Sequence, residues 1–262
     1  MTGLNSNKKS VEVCNIVKCF GDFTAVDNVS INIAPGEFCS LLGPSGSGKT
    51  TMLKIIAGYE DPTEGTVKID GQDVGNVPVA KRNIGMVFQN YALFPHMSIA
   101  KNIAFPLEMR KTPQGEIDRR VQDTLKIVGL GELGGRFPRE LSGGQQQRVA
   151  VARALVFEPD ILLMDEPLGA LDKNMRQSMQ FELKQLHQRI GVTVIYVTHD
   201  QEEALYLSDR VVVFNEGCVA QEAPPETLYN TPNSAFVANF LGECNLVPAT
   251  ANGDGVSLLS GR

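Results

Sequence analysis

One stretch of the sequence decides the fold of this chain: Gly43-Pro44-Ser45-Gly46-Ser47-Gly48-Lys49-Thr50-Thr51. It fills the pattern G-x-x-x-x-G-K-S/T of a phosphate-binding loop. The apolar run Phe38–Leu42 before it predicts a buried parallel strand, and the run Met52–Ala57 after it predicts a helix that ends at Gly58. Strand, glycine-rich loop and helix in this order are the context that the motif requires, so we set aside an ordinary Gly/Ser turn.

The chemistry expected of the loop follows from its backbone. Glycines let the chain curl so that successive N–H groups point inward at phosphate oxygens, and the helix N-terminus adds partial positive charge. We expect Lys49 to reach the β- and γ-phosphates of a nucleotide and the Thr50 hydroxyl to hold Mg²⁺.

Length and charge limit the class of protein. At 262 residues the chain fits one large domain or a core with an appendage. The formal net charge of -6 argues against nucleic acid as a bulk electrostatic partner. The N-terminus has no apolar signal core, and no apolar stretch approaches the roughly 18 residues of a membrane helix. We therefore expect any membrane association to go through a partner protein.

The cysteines indicate the redox environment. Five are present, with neither C-x-x-C spacing nor an even-numbered framework: Cys14, Cys19, Cys39, Cys218 and Cys244. We interpret them as reduced core residues, which predicts a reducing compartment.

Hydrophobic patterns suggest four segments. Residues 11–33 alternate short apolar runs with turns, which predicts a small antiparallel sheet. From Asn90 to about Gly135 the pattern is helical, with Ile117, Val121, Leu125 and Val128 on one face. The predicted boundaries are 1–89 for the β-subdomain and the first part of an α/β core, 90–150 for an inserted helical subdomain, 151–240 for the rest of the core, and 241–262 for a C-terminal segment.

A second informative stretch is Leu141-Ser142-Gly143-Gly144-Gln145. Ser142 and Gln145 form a capping box, and the alanine-rich run behind them predicts a strong helix. An ordinary capped helix explains these two residues but not the two glycines, which we expect to be exposed. A helix N-terminus with two bare glycines is suited to bind an anion.

Polar side chains follow two further strands. The run Ile161–Met164 predicts a strand that ends in Asp165 and Glu166, at the sheet edge where ligands bind in open α/β folds. One carboxylate there can hold Mg²⁺, and the next can accept a proton from an attacking water. His199 follows the predicted strand Val192–Val197 at the same edge. Its position fits a γ-phosphate contact and a purely structural role equally well.

Over about residues 11–240 the chain resembles the ATP-binding-cassette (ABC) ATPases. The resemblance rests on the order of several motifs, because a phosphate loop alone also fits kinases and GTPases. It implies an α/β fold: a RecA-like P-loop NTPase core with an N-terminal antiparallel β-subdomain and an inserted helical subdomain. It also implies a head-to-tail dimer with two ATP molecules at its interface.

The resemblance assigns roles to individual residues. Residues 43–51 bind ATP, and Phe20 matches the aromatic that stacks on adenine, although its position fits a core aromatic equally well. Catalysis falls to four residues: Glu166 as general base, His199 as switch histidine, Gln89 as the sensor of Mg²⁺ and water, and Lys49. The metal is held by Thr50, Gln89 and Asp165, and the γ-phosphate of the opposite subunit is capped by Ser142, Gly143, Gly144 and Gln145.

The resemblance is closest to importer ATPases of the spermidine/putrescine, ferric-ion and sugar group, with the polyamine branch nearest. It is carried by Tyr91-Ala92-Leu93-Phe94-Pro95-His96 and Thr198-His199-Asp200-Gln201-Glu202-Glu203-Ala204. The implied partners are a second copy of the chain, transmembrane permease subunits and, indirectly, an extracytoplasmic substrate-binding protein. The implied location is the cytoplasmic face of the membrane, with no nucleic acid partner.

Two other functional classes use related sequences. A soluble cassette ATPase acting on DNA or ribosomes is disfavoured, because the sequence holds one cassette and no coiled coil or basic arm interrupts it. A small-molecule kinase is disfavoured because the stretch 141–145 has no role in a kinase. The identity of an imported solute is not expected from this sequence, since specificity in such systems resides in partner proteins.

Two features depart from the family pattern. Gly169 stands where many relatives have Ser, which is expected to loosen communication across the dimer. Residues 239–245 resemble the beginning of a small β-rich regulatory domain, yet the chain stops at Arg262. We therefore expect 241–262 to be the start of a truncated domain or a tail, with residues after about Glu243 mobile or in borrowed contact with the core.

Overall fold

The computed structural model of the chain describes residues 8–242, 244–247, 249–252 and 255–258. The strands in these ranges are β1 (Val11–Phe20), β2 (Phe23–Ile33), β3 (Phe38–Leu42), β4 (Glu64–Ile69), β5 (Gln72–Asp73), β6 (Ile84–Val87), β7 (Ile161–Asp165), β8 (Thr193–Thr198), β9 (Arg210–Asn215), β10 (Cys218–Ala223), β11 (Ala249–Asn252) and β12 (Gly255–Leu258). The α-helices are α1 (Lys49–Ala57), α2 (Ile99–Met109), α3 (Gln114–Ile127), α4 (Gly143–Leu155), α5 (Lys173–Ile190), α6 (Gln201–Leu207), α7 (Pro225–Asn230) and α8 (Ala235–Leu241).

The core is built on a six-stranded sheet with the order β10-β9-β3-β8-β7-β6. Strands β9, β3, β8, β7 and β6 run parallel, and β10 returns antiparallel to β9. Both faces of the central strands are covered, so β3 and β8 are buried along their whole length. The predicted strand Phe38–Leu42 is confirmed with the same bounds.

A second, antiparallel sheet with the order β2-β1-β4-β5 covers the helix that follows the phosphate loop. One apolar cluster joins the two sheets and includes Ile16 and Ile33 from this sheet, Leu53 and Ile56 from α1, and Leu41 from β3. The predicted antiparallel sheet over 11–33 is confirmed in β1 and β2.

Helices α2 and α3 pack with α4 to form a separate apolar cluster. The residues expected on one helical face, Ile117, Val121, Leu125 and Val128, are all buried in it. The turn before α2 is held by the buried side chain of Asn102, which accepts a hydrogen bond from Phe94 N at 2.8 Å and donates to Phe94 O at 3.1 Å.

The C-terminal segment contains a hairpin in which β11 pairs antiparallel with β12, with Ala249 opposite Leu258. The expectation of a β-rich start or a tail over 241–262 did not include the bounds of these strands, because the sequence there has no decisive pattern. The two strands supply ladder hydrogen bonds to each other. Residues 243, 248, 253–254 and 259–262 lie outside the described part of the chain, and the mobility expected after Glu243 stays a prediction.

The cysteine interpretation is wrong for two positions. All five thiols are free, and Cys39 is buried in the sheet, where burial raises the pKa of its thiol far above the usual value. Cys218 and Cys244 are exposed, because one opens the edge strand β10 and the other follows the last helix. In the described ranges, no helix has the length and apolar character needed to cross a membrane.

A buried carboxylate holds the turn between β8 and α6. Glu203 is 2% exposed, and its Oε2 accepts hydrogen bonds from Tyr196 Oη and Thr198 Oγ1, both at 2.8 Å. Arg176 Nε lies 3.7 Å from Glu203 Oε1, and Arg176 Nη1 donates to Asp200 Oδ2 at 2.8 Å. Burial raises the pKa of Glu203, while the hydrogen bonds from Tyr196 and Thr198 act in the opposite direction.

Replacing this carboxylate tests how much the turn depends on it. Glu203→Ala leaves two buried hydroxyls without their acceptor, so we expect unfolding free energy to fall by at least about 2 kcal/mol. Glu203→Gln keeps an acceptor oxygen and should lose less than half as much. Urea denaturation followed by circular dichroism measures both, and equal losses would contradict the role of the hydroxyl contacts.

The stability difference between wild type and Glu203→Gln is expected to depend on pH. Because the folded pKa of Glu203 is raised above its ordinary 4.5, its favourable contribution is complete below 4.5 and is lost as pH rises through the folded pKa. Glutamine does not titrate, so wild type should lose stability relative to Glu203→Gln as the pH rises from about 4.5. A stability difference that is constant with pH would contradict this.

Candidate nucleotide-binding site

The phosphate loop runs from the end of β3 to the start of α1 and is closely packed on two strands. Gly48 has φ 102°, and a Cβ at this position would lie 2.5 Å from the carbonyl oxygen of Ala25 in β2. A Cβ on Gly43 would lie 2.4 Å from the carbonyl oxygen of Phe214 in β9. Glycine is required at both positions by close backbone approach, and at Gly48 also by the left-handed conformation.

Helix α1 begins at Lys49, one turn before the predicted start, and ends at Gly58 with φ 84°, as predicted. The apolar pattern alone placed the start at Met52, because the first turn of the helix is polar and lies in the site. The loop therefore leads directly into the helix N-terminus, whose free N–H groups carry partial positive charge.

Lys49 is buried beneath the loop, with 4% of its surface exposed. Its Nζ donates hydrogen bonds to Pro44 O at 2.8 Å and Ser47 Oγ at 3.2 Å. Burial lowers the pKa of Lys49, while the charges of Glu166 and Asp165 raise it. The two carboxylates thus favour the charged ammonium at the place where the loop curls.

Two oxygen groups suited to a hard cation lie together at the end of β7. Thr50 Oγ1 donates a hydrogen bond to Asp165 Oδ1 at 3.1 Å. Burial raises the pKa of Asp165, and the Thr50 hydrogen bond lowers it. A hydroxyl and a carboxylate are ligands that Mg²⁺ accepts together with waters and substrate phosphates. No group of three or more His, Cys, Asp or Glu able to hold a metal occurs in the described residues.

Three of the residues singled out in the sequence meet at one carboxylate oxygen. Glu166 Oε2 accepts from Gln89 Nε2 at 3.3 Å and lies 3.2 Å from His199 Nδ1. These residues follow β7, β6 and β8, which are neighbours in the sheet, and parallel strands bring their carboxyl ends to one edge. Glu166 has φ 44°, a left-handed conformation that costs energy for a non-glycine residue.

Gly169 lies beside this cluster. A Cβ here would lie 3.7 Å from Gln89 Nε2 and 3.8 Å from Glu166 Oε2, which is ordinary van der Waals contact. A serine at this position would therefore touch the cluster. The expected effect of glycine on communication between subunits stays a prediction.

Phe20 is not a core aromatic, because 47% of its surface is exposed. It lies at the end of β1, and Lys18 Nζ is 4.8 Å from the centre of its ring. The structure thus removes one of the two explanations that its position in the sequence allowed.

The stretch 142–145 caps its own helix. Ser142 N donates to Gln145 Oε1 at 3.0 Å and Gln145 N donates to Ser142 Oγ at 3.3 Å, which confirms the predicted capping box. The expectation of two exposed glycines is wrong. Gly143 is half-buried, since a Cβ there would lie 3.1 Å from Leu171 Cδ2, and Gly144 is buried under α5, where a Cβ would lie 3.2 Å from Met179 Sδ.

Two arginines position site residues and were missed in the sequence. Arg153 in α4 donates to Tyr91 O at 2.8 Å and Ala92 O at 2.7 Å, in the turn that follows Gln89. Arg176 in α5 holds the turn that carries His199, through Asp200. Both arginines lie on helices whose sequence pattern identifies only the apolar face. Residues adjacent in the chain therefore do not indicate which backbone or side-chain groups these arginines contact.

Comparisons with known proteins identify the family of this chain. The ABC transporter family matches residues 26–169. The chain is 56% identical over 240 residues to the spermidine/putrescine import ATP-binding protein PotA of Pseudomonas aeruginosa (strain UCBPP-PA14), covering 92% of this chain and 66% of that protein. It is 51% identical over 256 residues to the Fe(3+) ions import ATP-binding protein FbpC of Brucella abortus (strain 2308), covering 96% and 72%.

Solved structures share the architecture. A dimeric post-hydrolysis state of the ATP-binding cassette MJ0796 bound to ADP and Pi matches with a TM-score of 0.72 at 38% identity, covering 82% of this chain and 98% of that one. The cbiO1 protein of Clostridium perfringens matches with a TM-score of 0.77 at 29% identity, covering 84% and 90%.

The chain spans about two thirds of the length of the PotA relatives, at 64% to 66%. The family match covers more than half of the chain, and the α/β fold predicted from the sequence is confirmed by the solved cassettes. The chain therefore belongs to the ABC transporter family, as an ATPase domain of the ATP-binding-cassette type.

Proposed function

We propose that this chain is the ATP-hydrolysing subunit of an ABC importer for polyamines. In this proposal two copies close head to tail on two ATP molecules and act on transmembrane permease subunits at the cytoplasmic face of the membrane. The observation that carries the proposal is the convergence of Gln89 and His199 on Glu166, beside the Thr50–Asp165 pair.

Binding of ATP follows from the loop and its neighbours. The inward backbone N–H groups of residues 43–51 and the ammonium of Lys49 hold the phosphates. The exposed ring of Phe20 offers a face for adenine, since aromatic rings stack on bases. Thr50 and Asp165 would hold Mg²⁺ together with Gln89, whose Nε2 lies 3.3 Å from Glu166 Oε2. When bound, the ion neutralises charge on the phosphate oxygens.

Hydrolysis depends on Glu166 as general base. Gln89 and His199 both contact Oε2, so the carboxylate is fixed in orientation and its other oxygen, Oε1, accepts a proton from water. The strained backbone of Glu166 aims the side chain at the same place on every turnover. The remaining contribution to catalysis is stabilisation of negative charge on the γ-phosphate. The ammonium of Lys49 supplies the positive charge for this.

The second copy supplies Ser142 to Gln145. Ser142 is an exposed N-cap, so the N-terminus of α4 can present its partial positive charge to a phosphate on another subunit. That MJ0796 was solved as a dimer bound to ADP and Pi supports this arrangement.

The substrate proposal rests on the relatives. PotA is named for spermidine/putrescine import and FbpC for Fe(3+) import, at 56% and 51% identity. We take the polyamine as the substrate class because of the higher identity. The partners are then permease subunits that carry the solute and a substrate-binding protein outside the membrane.

The general base is tested by Glu166→Gln. The amide keeps the shape of the side chain but cannot accept the proton, so we expect ATP binding to persist while turnover falls by about 100-fold or more. Glu216→Gln is the matched control, because Glu216 has a similar φ of 49° and lies on the β9–β10 turn. Turnover near that of wild type in Glu166→Gln rules out the base assignment.

Head-to-tail assembly is tested by mixing two inactive variants. Lys49→Ala and Ser142→Arg affect opposite halves of each composite site, so a mixed dimer has one site with both changes and one with neither. We expect partial ATPase activity in the mixture and none in either parent. Ser234→Arg, which removes the N-cap of α8 alone, is the control and should remain active. If mixed dimers form and stay inactive, the head-to-tail arrangement is wrong.

Substrate class is tested in proteoliposomes containing the complex that copurifies with this chain from its own membranes. We expect ATP-dependent uptake of labelled spermidine that fails in Glu166→Gln, and no uptake of labelled Fe³⁺. Uptake of Fe³⁺ without spermidine would move the chain to the ferric-ion group. Failure to copurify any membrane subunit would contradict a role in import.

A further inference from the structure

Lys18 holds its ammonium against the ring of Phe20, the aromatic that offers a face to adenine in the proposed function. The Nζ atom lies over this ring, 4.8 Å from its centroid. The side chain of Lys18 is only 13% exposed, whereas 47% of the surface of Phe20 is open to solvent. A cation therefore covers one face of the ring, and the opposite face remains open to a ligand.

Two oxygens keep the ammonium of Lys18 in this place. Its Nζ donates a hydrogen bond to the carbonyl oxygen of Asp61 at 2.7 Å and lies 3.2 Å from Glu60 Oε2. An ammonium has three N–H donors, so two serve these oxygens and the third is left for the ring. A surface lysine without such contacts keeps its rotamer freedom. The contacts order this side chain, and the ordered ammonium restrains the ring beside it.

The oxygens that hold Lys18 belong to the segment that leaves the phosphate-loop helix. Helix α1 starts in the phosphate loop and ends at Gly58, and the segment follows directly. Within it, Thr63 N donates to Val17 O at 2.8 Å, and Thr63 Oγ1 accepts from Cys19 N at 3.0 Å. The end of β1 is thus bound to the far end of the helix that begins at the phosphate site. These contacts fix the distance between the aromatic ring and the phosphate loop.

A cation on one face of the ring also changes what the other face binds. The face of an aromatic ring carries negative charge, and an ammonium placed against it attracts that charge. The opposite face then repels the π electrons of a stacked purine less strongly.

We propose that Lys18 is a positioning residue for the nucleotide base: its ammonium fixes the ring of Phe20 and leaves the face away from it for adenine. This inference rests on the proposed function, in which Phe20 stacks on adenine. Lys18 itself does not touch the nucleotide and acts through the ring.

Two ligands separate the base from the phosphates. The full chain is titrated by calorimetry with ADP and with inorganic pyrophosphate, each in the presence of Mg²⁺; neither provides a γ-phosphate to hydrolyse. Lys18→Met keeps the long stem and removes the ammonium. We expect ADP affinity to fall about two- to fivefold, the range for a partly exposed cation–π contact, while pyrophosphate affinity stays unchanged. A general loss of structure, or of positive charge near the phosphates, weakens both ligands instead.

Three further variants make the result specific. Lys18→Arg keeps a cation that stacks on aromatic faces and should restore ADP affinity. Phe20→Leu removes the ring and should weaken ADP, and in that background Lys18→Met should cause no further loss. Lys68→Met is the matched control, because it removes a lysine from β4 of the same sheet, opposite Glu12 near the other end of β1. It should leave ADP affinity unchanged.

The outcomes separate this inference from the proposed function. Equal losses for ADP and pyrophosphate in Lys18→Met overturn the inference, and so does a further loss in the Phe20→Leu background, since Lys18 then acts independently of the ring. If Phe20→Leu weakens ADP and Lys18→Met does not, the inference falls and the adenine contact stands. If Phe20→Leu leaves ADP affinity unchanged, the adenine contact in the proposed function is wrong and the inference falls with it.

Discussion

The hydrogen-bonded register of the parallel strands β3, β8, β7 and β6 sets the position of the polar groups that follow these strands in the nucleotide site. Leu42, the last residue before the loop, pairs with Thr198, and Asp165 pairs with Val197. Glu166 and His199 each come one residue later, so their side chains meet above the sheet edge. Side chains alternate between the faces of a strand, so a shift of one residue in β7 would turn Asp165 away from Thr50.

Buried charges and a strained backbone in the site cost free energy, which packing in the rest of the fold offsets. Lys49 and Asp165 are charged groups whose burial alone shifts both pKa values toward the neutral form. The attraction between the two charges opposes both shifts. At Asp165 the hydrogen bond from the Thr50 hydroxyl also lowers the pKa. Glu166 keeps a left-handed backbone beside them. Such strain and charge persist because two close-packed apolar clusters cover the sheet on either side.

Polar side chains from helices connect the site to its surroundings. Arg176 in α5 donates to the carbonyl of Leu171 at 3.2 Å and to Asp200, so one guanidinium joins the segment after Gly169 to the turn that carries His199. Arg153 in α4 holds the turn after Gln89 in the same way. Helix α4 therefore joins this turn to its own capped N-terminus. A change in the position of α4 reaches the site through defined hydrogen bonds.

Much of this arrangement was determined by sequence alone. The loop, the strand Phe38–Leu42, the capping box at Ser142 and the acidic pair after Ile161–Met164 were predicted from residues adjacent in the chain, because turn conformation, capping and strand burial depend on local chemistry. The tertiary structure decided the rest. It buried Gly144 under Met179, exposed Phe20 and Cys218, joined Arg176 to Glu203 and, among the described residues, left the amide of Gln147 without a partner. These outcomes depend on which distant elements pack together, and the apolar periodicity of a helix shows only that one face is covered, not what covers it.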